Sequence, residues 1–190
     1  MRRPACALVA LALVLAACGG DDDVEGGGDV LLEDDFSDDD SGFTVSEGGT
    51  GSLAYDGGGY VIESLGPNGL KVSDTDLDGE AFVESLASLG DVRVEVDVAK
   101  LADDGPALMG VLCRLRTEPP SYYAGFVDSD GYWRLVRFGG TTTVLAEGDQ
   151  RTRVEGLDDD DAHRLRLDCV DGPGGAALGL MVDGAPVAAA

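Results

Sequence analysis

From Val92 to Val98 the chain alternates without a break: Val92, Val94, Val96 and Val98 are apolar, and Arg93, Glu95 and Asp97 between them are charged. A period of two marks a strand with one face in a core and the other in water. RLRLDCV, 164–170, repeats the pattern, with Leu165, Leu167 and Cys169 on one face and Arg164, Arg166 and Asp168 on the other. If these two strands share a sheet, opposite charges face each other across them, each pair contributing a few tenths of a kcal/mol. Further strands are predicted at 30–36, 51–56, 59–64, 69–73, 106–116, 121–127, 132–138, 141–146, 175–182 and 185–189, separated by Gly and Asp turns. DSDG at 128–131 and Gly139-Gly140 read as hairpin turns. No long amphipathic helix is evident; EAFVESLASL, 80–89, makes at most one short helix. Many short strands with regular turns predict an all-β, antiparallel sandwich over residues 29–190.

The N-terminus departs from this pattern. Ala5 to Ala17 is continuously apolar after Arg2 and Arg3, too short to span a bilayer comfortably. It ends Leu15-Ala16-Ala17-Cys18, which resembles the lipobox of bacterial lipoproteins. The resemblance implies a signal peptide over 1–17 and acyl chains on Cys18, each buried CH₂ contributing roughly 0.8 kcal/mol to membrane anchoring. GGDDDVEGGG follows at 19–28, so that 18–28 reads as a flexible acidic tether. The expected location is the extracytoplasmic face of a cell membrane.

Charge narrows the partners. The chain carries 37 acidic and 13 basic residues, a net charge of −24. Losing Arg2 and Arg3 with the leader takes the basic count from 13 to 11 and the net charge to −26. Nucleic acid is excluded as a partner, because phosphate binding needs clustered Lys and Arg. Anionic headgroups are repelled as well, which leaves the lipid on Cys18 as the membrane contact. Of the four cysteines, Cys6 lies in the leader, and Cys113 and Cys169 remain in an exported domain, where disulfides persist. Both fall on the inward faces of their predicted strands, so a Cys113–Cys169 bridge is expected.

Taken in order, DDFSDDDSGF (34–43), YDGGGYVI (55–62), VRVEVDV, GVLCRL, SYYAGFVDSDGYWRLVRF, HRLRLDCV and MVDGAPVA (181–188) resemble the concanavalin A-like jelly roll of exported bacterial lipoproteins and sugar-related proteins. The pattern is similar to the laminin-G-like and 3-keto-disaccharide hydrolase relatives of that fold. Such domains carry one more strand after the VDGAPV hairpin, whereas this sequence stops at VAAA. Either the sequence is truncated there or the sheet lacks an edge strand, which would leave backbone unpaired.

The candidate chemistry is concentrated in one hairpin. Residues 122–138, YYAGFVDSDGYWRLVRF, hold six aromatic residues, out of five Tyr, five Phe and one Trp in the whole chain. Neither strand of this hairpin has a purely polar face, so one set of side chains packs the core and the other lines a surface. Tyr122 with Tyr132 and Arg134, or Tyr123 with Trp133 and Arg137, offer ring faces for the C–H patches of sugars and guanidinium groups for their hydroxyls. The alternative is that all these rings are structural. In DTDLDGEAFVES, 74–85, Asp74, Asp76 and Asp78 precede Gly79 as in the first half of a Ca²⁺-binding EF-hand loop. Position 12 is Ser85 and the acid stands one place early, at Glu84, so Asp74, Asp76, Asp78 and Glu84 make an imperfect Ca²⁺ set; the acidic loop Asp38–Asp40 is a second place for such an ion. Glu95-Val96-Asp97 matches the first half of a laminarinase-type glycosidase motif, but Ala99 and Lys100 stand where the second glutamate belongs. The single histidine, His163, has no nucleophile motif to serve. These readings add up to a membrane-anchored module that binds carbohydrate without catalysis. A sugar-processing hydrolase or lyase of the 3-keto-disaccharide type, and a protein-binding envelope scaffold, are the alternatives.

Overall fold

The computed structural model describes residues 6–16, 30–39, 43, 45–48, 51–64, 90–101, 107–157, 161–173 and 175–190. Cys18, the tether, the 69–73 strand, the 80–89 segment, Asp40 and the Asp74–Glu84 loop lie outside these residues. The described residues form only strands: β1 (Cys6–Ala16), β2 (Val30–Asp34), β3 (Ser46–Gly48), β4 (Gly51–Asp56), β5 (Gly59–Ser64), β6 (Val92–Lys100), β7 (Leu108–Thr117), β8 (Pro120–Asp128), β9 (Trp133–Gly139), β10 (Thr142–Glu147), β11 (His163–Gly172), β12 (Gly175–Val182) and β13 (Ala185–Ala189). They build two antiparallel sheets, as the alternating pattern predicts. The larger runs β13-β12-β11-β6-β1-β5-β4-β3, with β2 beside β1, and the smaller runs β10-β9-β8-β7.

The main core lies between the sheets. Val92, Val94, Val96 and Val98 of β6, Leu165, Leu167 and Cys169 of β11, and Leu178, Leu180 and Val182 of β12 meet Met109, Val111 and Cys113 of β7, Val127 of β8 and Leu135 of β9. The period-two reading of β6 and β11 therefore holds residue by residue. Cys113 and Cys169 form a disulfide that ties β7 of one sheet to β11 of the other. A second core gathers Phe36, Phe43, Leu53 and Tyr60 around β4 and β5, and Leu32 packs against both cores. Its rings meet edge to face, Phe36 and Phe43 at 5.0 Å and Tyr55 and Tyr60 at 5.1 Å, the geometry that aromatic quadrupoles prefer. The Phe43 N–H donates to the Tyr55 hydroxyl at 2.9 Å.

On the outer face of the larger sheet the charges of β6 and β11 do pair. The register sets Arg164 opposite Asp97, Arg166 opposite Glu95 and Asp168 opposite Arg93. Arg164 grips Asp97 with two hydrogen bonds of 2.6 Å and stands 3.4 Å from Glu95. Asp168 accepts from Arg93 at 2.8 Å and from Arg166 at 2.7 Å. The Arg164 hydrogen bonds hold the Asp97 carboxyl below its usual range. At Asp168, partial burial pushes the other way, and the hydrogen bonds from Arg166 and Arg93 outweigh it.

β1 is where the architecture adds to the sequence reading. Residues 6–16, assigned by their sequence to a leader, run antiparallel to β6 along one edge, from Leu8↔Lys100 to Ala16↔Arg93. Along the other edge β1 pairs with β5 through Cys6–Ala10 and with β2 through Leu13–Ala16. An uncharged run of Ala, Val and Leu suits a strand enclosed on both edges as well as it suits the apolar stretch of a leader, and periodicity does not separate the two.

Candidate functional site

The site grows from a fault in one strand. Along β7 and β8 the register runs regularly from Leu108↔Asp128 to Cys113↔Tyr123, then resumes at Arg116↔Ser121. Arg114 and Leu115 thus oppose the single residue Tyr122, the definition of a β-bulge. Arg114 takes the left-handed conformation, φ 53°, which costs a non-glycine residue about 1–2 kcal/mol. The bulge changes where side chains reach. Cys113 crosses to the larger sheet to bond Cys169, and its neighbour Arg114 crosses as well; strict alternation would send one of the two outward. Arg114 Nη1 meets Asp171 Oδ1 at 2.8 Å, and its Nη2 stands 3.7 Å from Asp91 Oδ1. Asp91 is itself held by the Asp171 backbone N–H. The Nε and Nη2 of Arg114 are buried and have no hydrogen-bond partner among the described residues.

Around this anchored arginine the open end of the sandwich forms a cleft of about 260 Å³. On the smaller sheet it is walled by Arg116, Tyr122, Tyr123, Arg137 and Phe138, and on the larger sheet by Asp171, Gly172, Gly175 and Ala176. Cross-strand pairing puts Tyr123 opposite Arg137 and Tyr122 opposite Phe138. The Tyr122 and Phe138 rings stack at 5.1 Å with planes 17° apart. Tyr123 packs its ring against the main core, and its hydroxyl points toward Gly175 of the facing turn. Arg116 and Arg137 are exposed and have no ion-pair or hydrogen-bond partner among the described residues.

The six residues singled out from the hairpin divide between its two ends. Tyr122, Tyr123 and Arg137 meet in the cleft. Tyr132, Trp133 and Arg134 stand at the far end, beside the 128–131 turn. Trp133 donates its indole N–H to the Thr152 carbonyl at 2.8 Å and packs against the core. Its ring fills the space where a side chain on Gly148 would begin, only 2.4 Å from Nε1. The Tyr132 backbone N–H is capped by Asp128 at 2.9 Å, and Arg134 faces Glu147 at 3.4 Å. Alternation holds, with Tyr123, Trp133 and Arg137 on the inward face and Tyr122, Arg134 and Phe138 on the outer one, but the cleft at one end of the hairpin takes only part of each set.

Arg114, Arg116, Phe138 and Asp171 complete the cleft and were not singled out by sequence reasoning. Only the adjacency of Arg114 to an inward cysteine hinted at it, and a bulge leaves no composition signal. The glycosidase half-motif is absorbed into the charge ladder, since Glu95 and Asp97 both face Arg164. His163 pairs with Asp183 at 2.9 Å. Among the described residues no group of three His, Cys, Asp or Glu side chains is arranged to hold a metal ion. No protein-family model, curated protein or solved structure matches this chain.

Proposed function

We propose that this protein is a lipid-anchored envelope module, of the concanavalin A-like jelly-roll class, that binds carbohydrate in the cleft at the open end of its sandwich. One observation carries the reading: aromatic residues and guanidinium groups with no partner among the described residues line a single cavity, at Tyr122, Tyr123 and Phe138 with Arg116 and Arg137. A pyranose presents apolar C–H patches and hydroxyls together, and such a wall meets both. At about 260 Å³ the cleft falls below the roughly 300–1,000 Å³ of sites that enclose drug-sized ligands. It suits one sugar residue of a longer chain that continues into solvent. The anchor in this reading is Cys18, supported by the Leu-Ala-Ala-Cys sequence at the end of the apolar run.

The test is thermal unfolding of the protein against a glycan panel, followed by two substitutions. A ligand present at a hundredfold over its Kd adds about 2.7 kcal/mol of stability. Tyr122→Ala should abolish that shift while leaving the unliganded protein folded. Trp133→Ala should lower stability by roughly 3–5 kcal/mol, because its ring belongs to the packing. If Trp133→Ala removes binding without loss of stability, the site is at the wrong end of the hairpin.

A further inference from the structure

We infer that the sugar taken by this cleft is an acidic one, carrying a carboxylate or sulfate that Arg116 and Arg137 bind. The inference rests on the carbohydrate reading and adds the chemical class. Its basis is a reversal of charge. The chain as a whole is −24, with 37 acidic residues against 13 basic ones. The cleft lining carries Arg114, Arg116 and Arg137 against the single acid Asp171, three positive charges to one negative, a net +2. That acid is already neutralised by Arg114 at 2.8 Å.

The arginines of the β6–β11 ladder and Arg134 of β9 are paired with acids, while Arg151 and Arg153, like the cleft pair, have no side-chain partner among the described residues. Arg93, Arg164 and Arg166 serve the ladder with Glu95, Asp97 and Asp168, and Arg134 faces Glu147. Arg116 and Arg137 have no such partner among the described residues, although the chain holds nearly three acids for every base. Arg114 is balanced by Asp171 and Asp91, which leaves the charges of Arg116 and Arg137 for an anion to meet. Arg114 acts as the fixed floor: the bulge and its contacts with Asp171 and Asp91 hold its charge in place at the expense of a strained backbone. Guanidinium groups match carboxylate and sulfate oxygens with paired N–H donors. Tyr122 and Phe138, which also line the cleft, supply the apolar half of the recognition. A neutral sugar would use the rings and leave the cations unmatched, and a bare anion would use the cations and leave the rings bare.

The experiment is calorimetric titration of the full protein with three probes at equal ionic strength: a uronic acid trisaccharide, the neutral hexose trisaccharide of the same linkage, and sodium sulfate. The uronate should bind about tenfold or more tightly than the neutral sugar, since a hydrogen bond to a charged group contributes more than a neutral one, and its affinity should fall as salt is raised. Arg116→Gln with Arg137→Gln should erase the difference between the two sugars without moving the thermal midpoint, because both side chains are exposed. Tyr122→Ala should weaken both sugars. Equal affinity for the acidic and neutral trisaccharides overturns the acidic class and leaves the carbohydrate reading standing. Sulfate binding as tightly as the uronate, with no added effect of the sugar, overturns the carbohydrate reading and leaves an anion site. No heat with any probe overturns both.

Discussion

Replacing Cys113 and Cys169 together by alanine tests how the two sheets are held. The cysteines are 56 residues apart in sequence, and between them lie β8, β9, β10 and the loop to β11. In the chain-entropy model, closing a loop of this length removes enough freedom from the unfolded chain to stabilise the native state by about 4 kcal/mol. For a chain of this size each kcal/mol moves the thermal midpoint by roughly 2–4 °C, so the double variant should melt about 8–16 °C lower. Both cysteines are buried, at 4% and 0% exposure, so the alanines also lose some packing. Reduction of the unsubstituted protein separates the two effects. Urea unfolding with and without dithiothreitol should lower the stability of the parent by nearly the full amount and leave the double variant unmoved. A loss below about 1 kcal/mol in both experiments would refute the reasoning, and would mean that the β6, β11 and β7 core alone sets the sheet separation.

Three further outcomes are expected. Asp97 and Asp168 have native carboxyls held below the ordinary range, so the native state binds fewer protons than the unfolded chain in acid. Their contribution is complete above the unfolded value near 3.9 and is lost as pH falls through the depressed native values. Urea midpoints measured from neutral pH downward should therefore fall less steeply for Asp97→Asn and Asp168→Asn than for the parent, and parallel curves would contradict the ladder. Gly131 has φ 85°, its carbonyl accepts from the Val154 N–H at 2.8 Å, and a Cβ there would run into the Val154 carbonyl oxygen. Gly131→Ala should lose at least about 1–2 kcal/mol by urea unfolding; a neutral result would mean that the turn is open. Intact-mass analysis of membrane-extracted protein should find an acylated N-terminus at Cys18, which would remove β1 with residues 1–17, and Cys18→Ser should retain residues 1–17. Unsubstituted protein beginning at Met1 would overturn the anchor.

Some of this molecule is written in short-range pattern. Where valines alternate with charges, as at 92–98, the face that each residue takes follows from the two-residue repeat of an extended chain. The pairing of Arg93, Glu95 and Asp97 with Asp168, Arg166 and Arg164 followed once β6 and β11 became neighbours. The inward faces of Cys113 and Cys169 were legible for the same reason. The hairpin at 122–138 was harder. Its aromatic residues fall on both faces, and composition does not separate a ring that fills a core, like Trp133 under Gly148, from rings that line a cleft, like Tyr122 on Phe138.

The all-β class, most of the strands, the inward cysteines and the strongly negative charge follow from the order of residues, because each depends on positions close to one another or on a simple sum. Which of these parts meet is set by packing between distant segments. The bulge at Arg114 turns two successive side chains toward the opposite sheet. The cleft joins β7, β8 and β9 to a turn from the other sheet more than thirty residues on. The run 6–16 takes a strand position between β6 and β5, far from it in sequence. Each of these depends on contacts between distant segments, and a local pattern of polar and apolar residues carries no record of them.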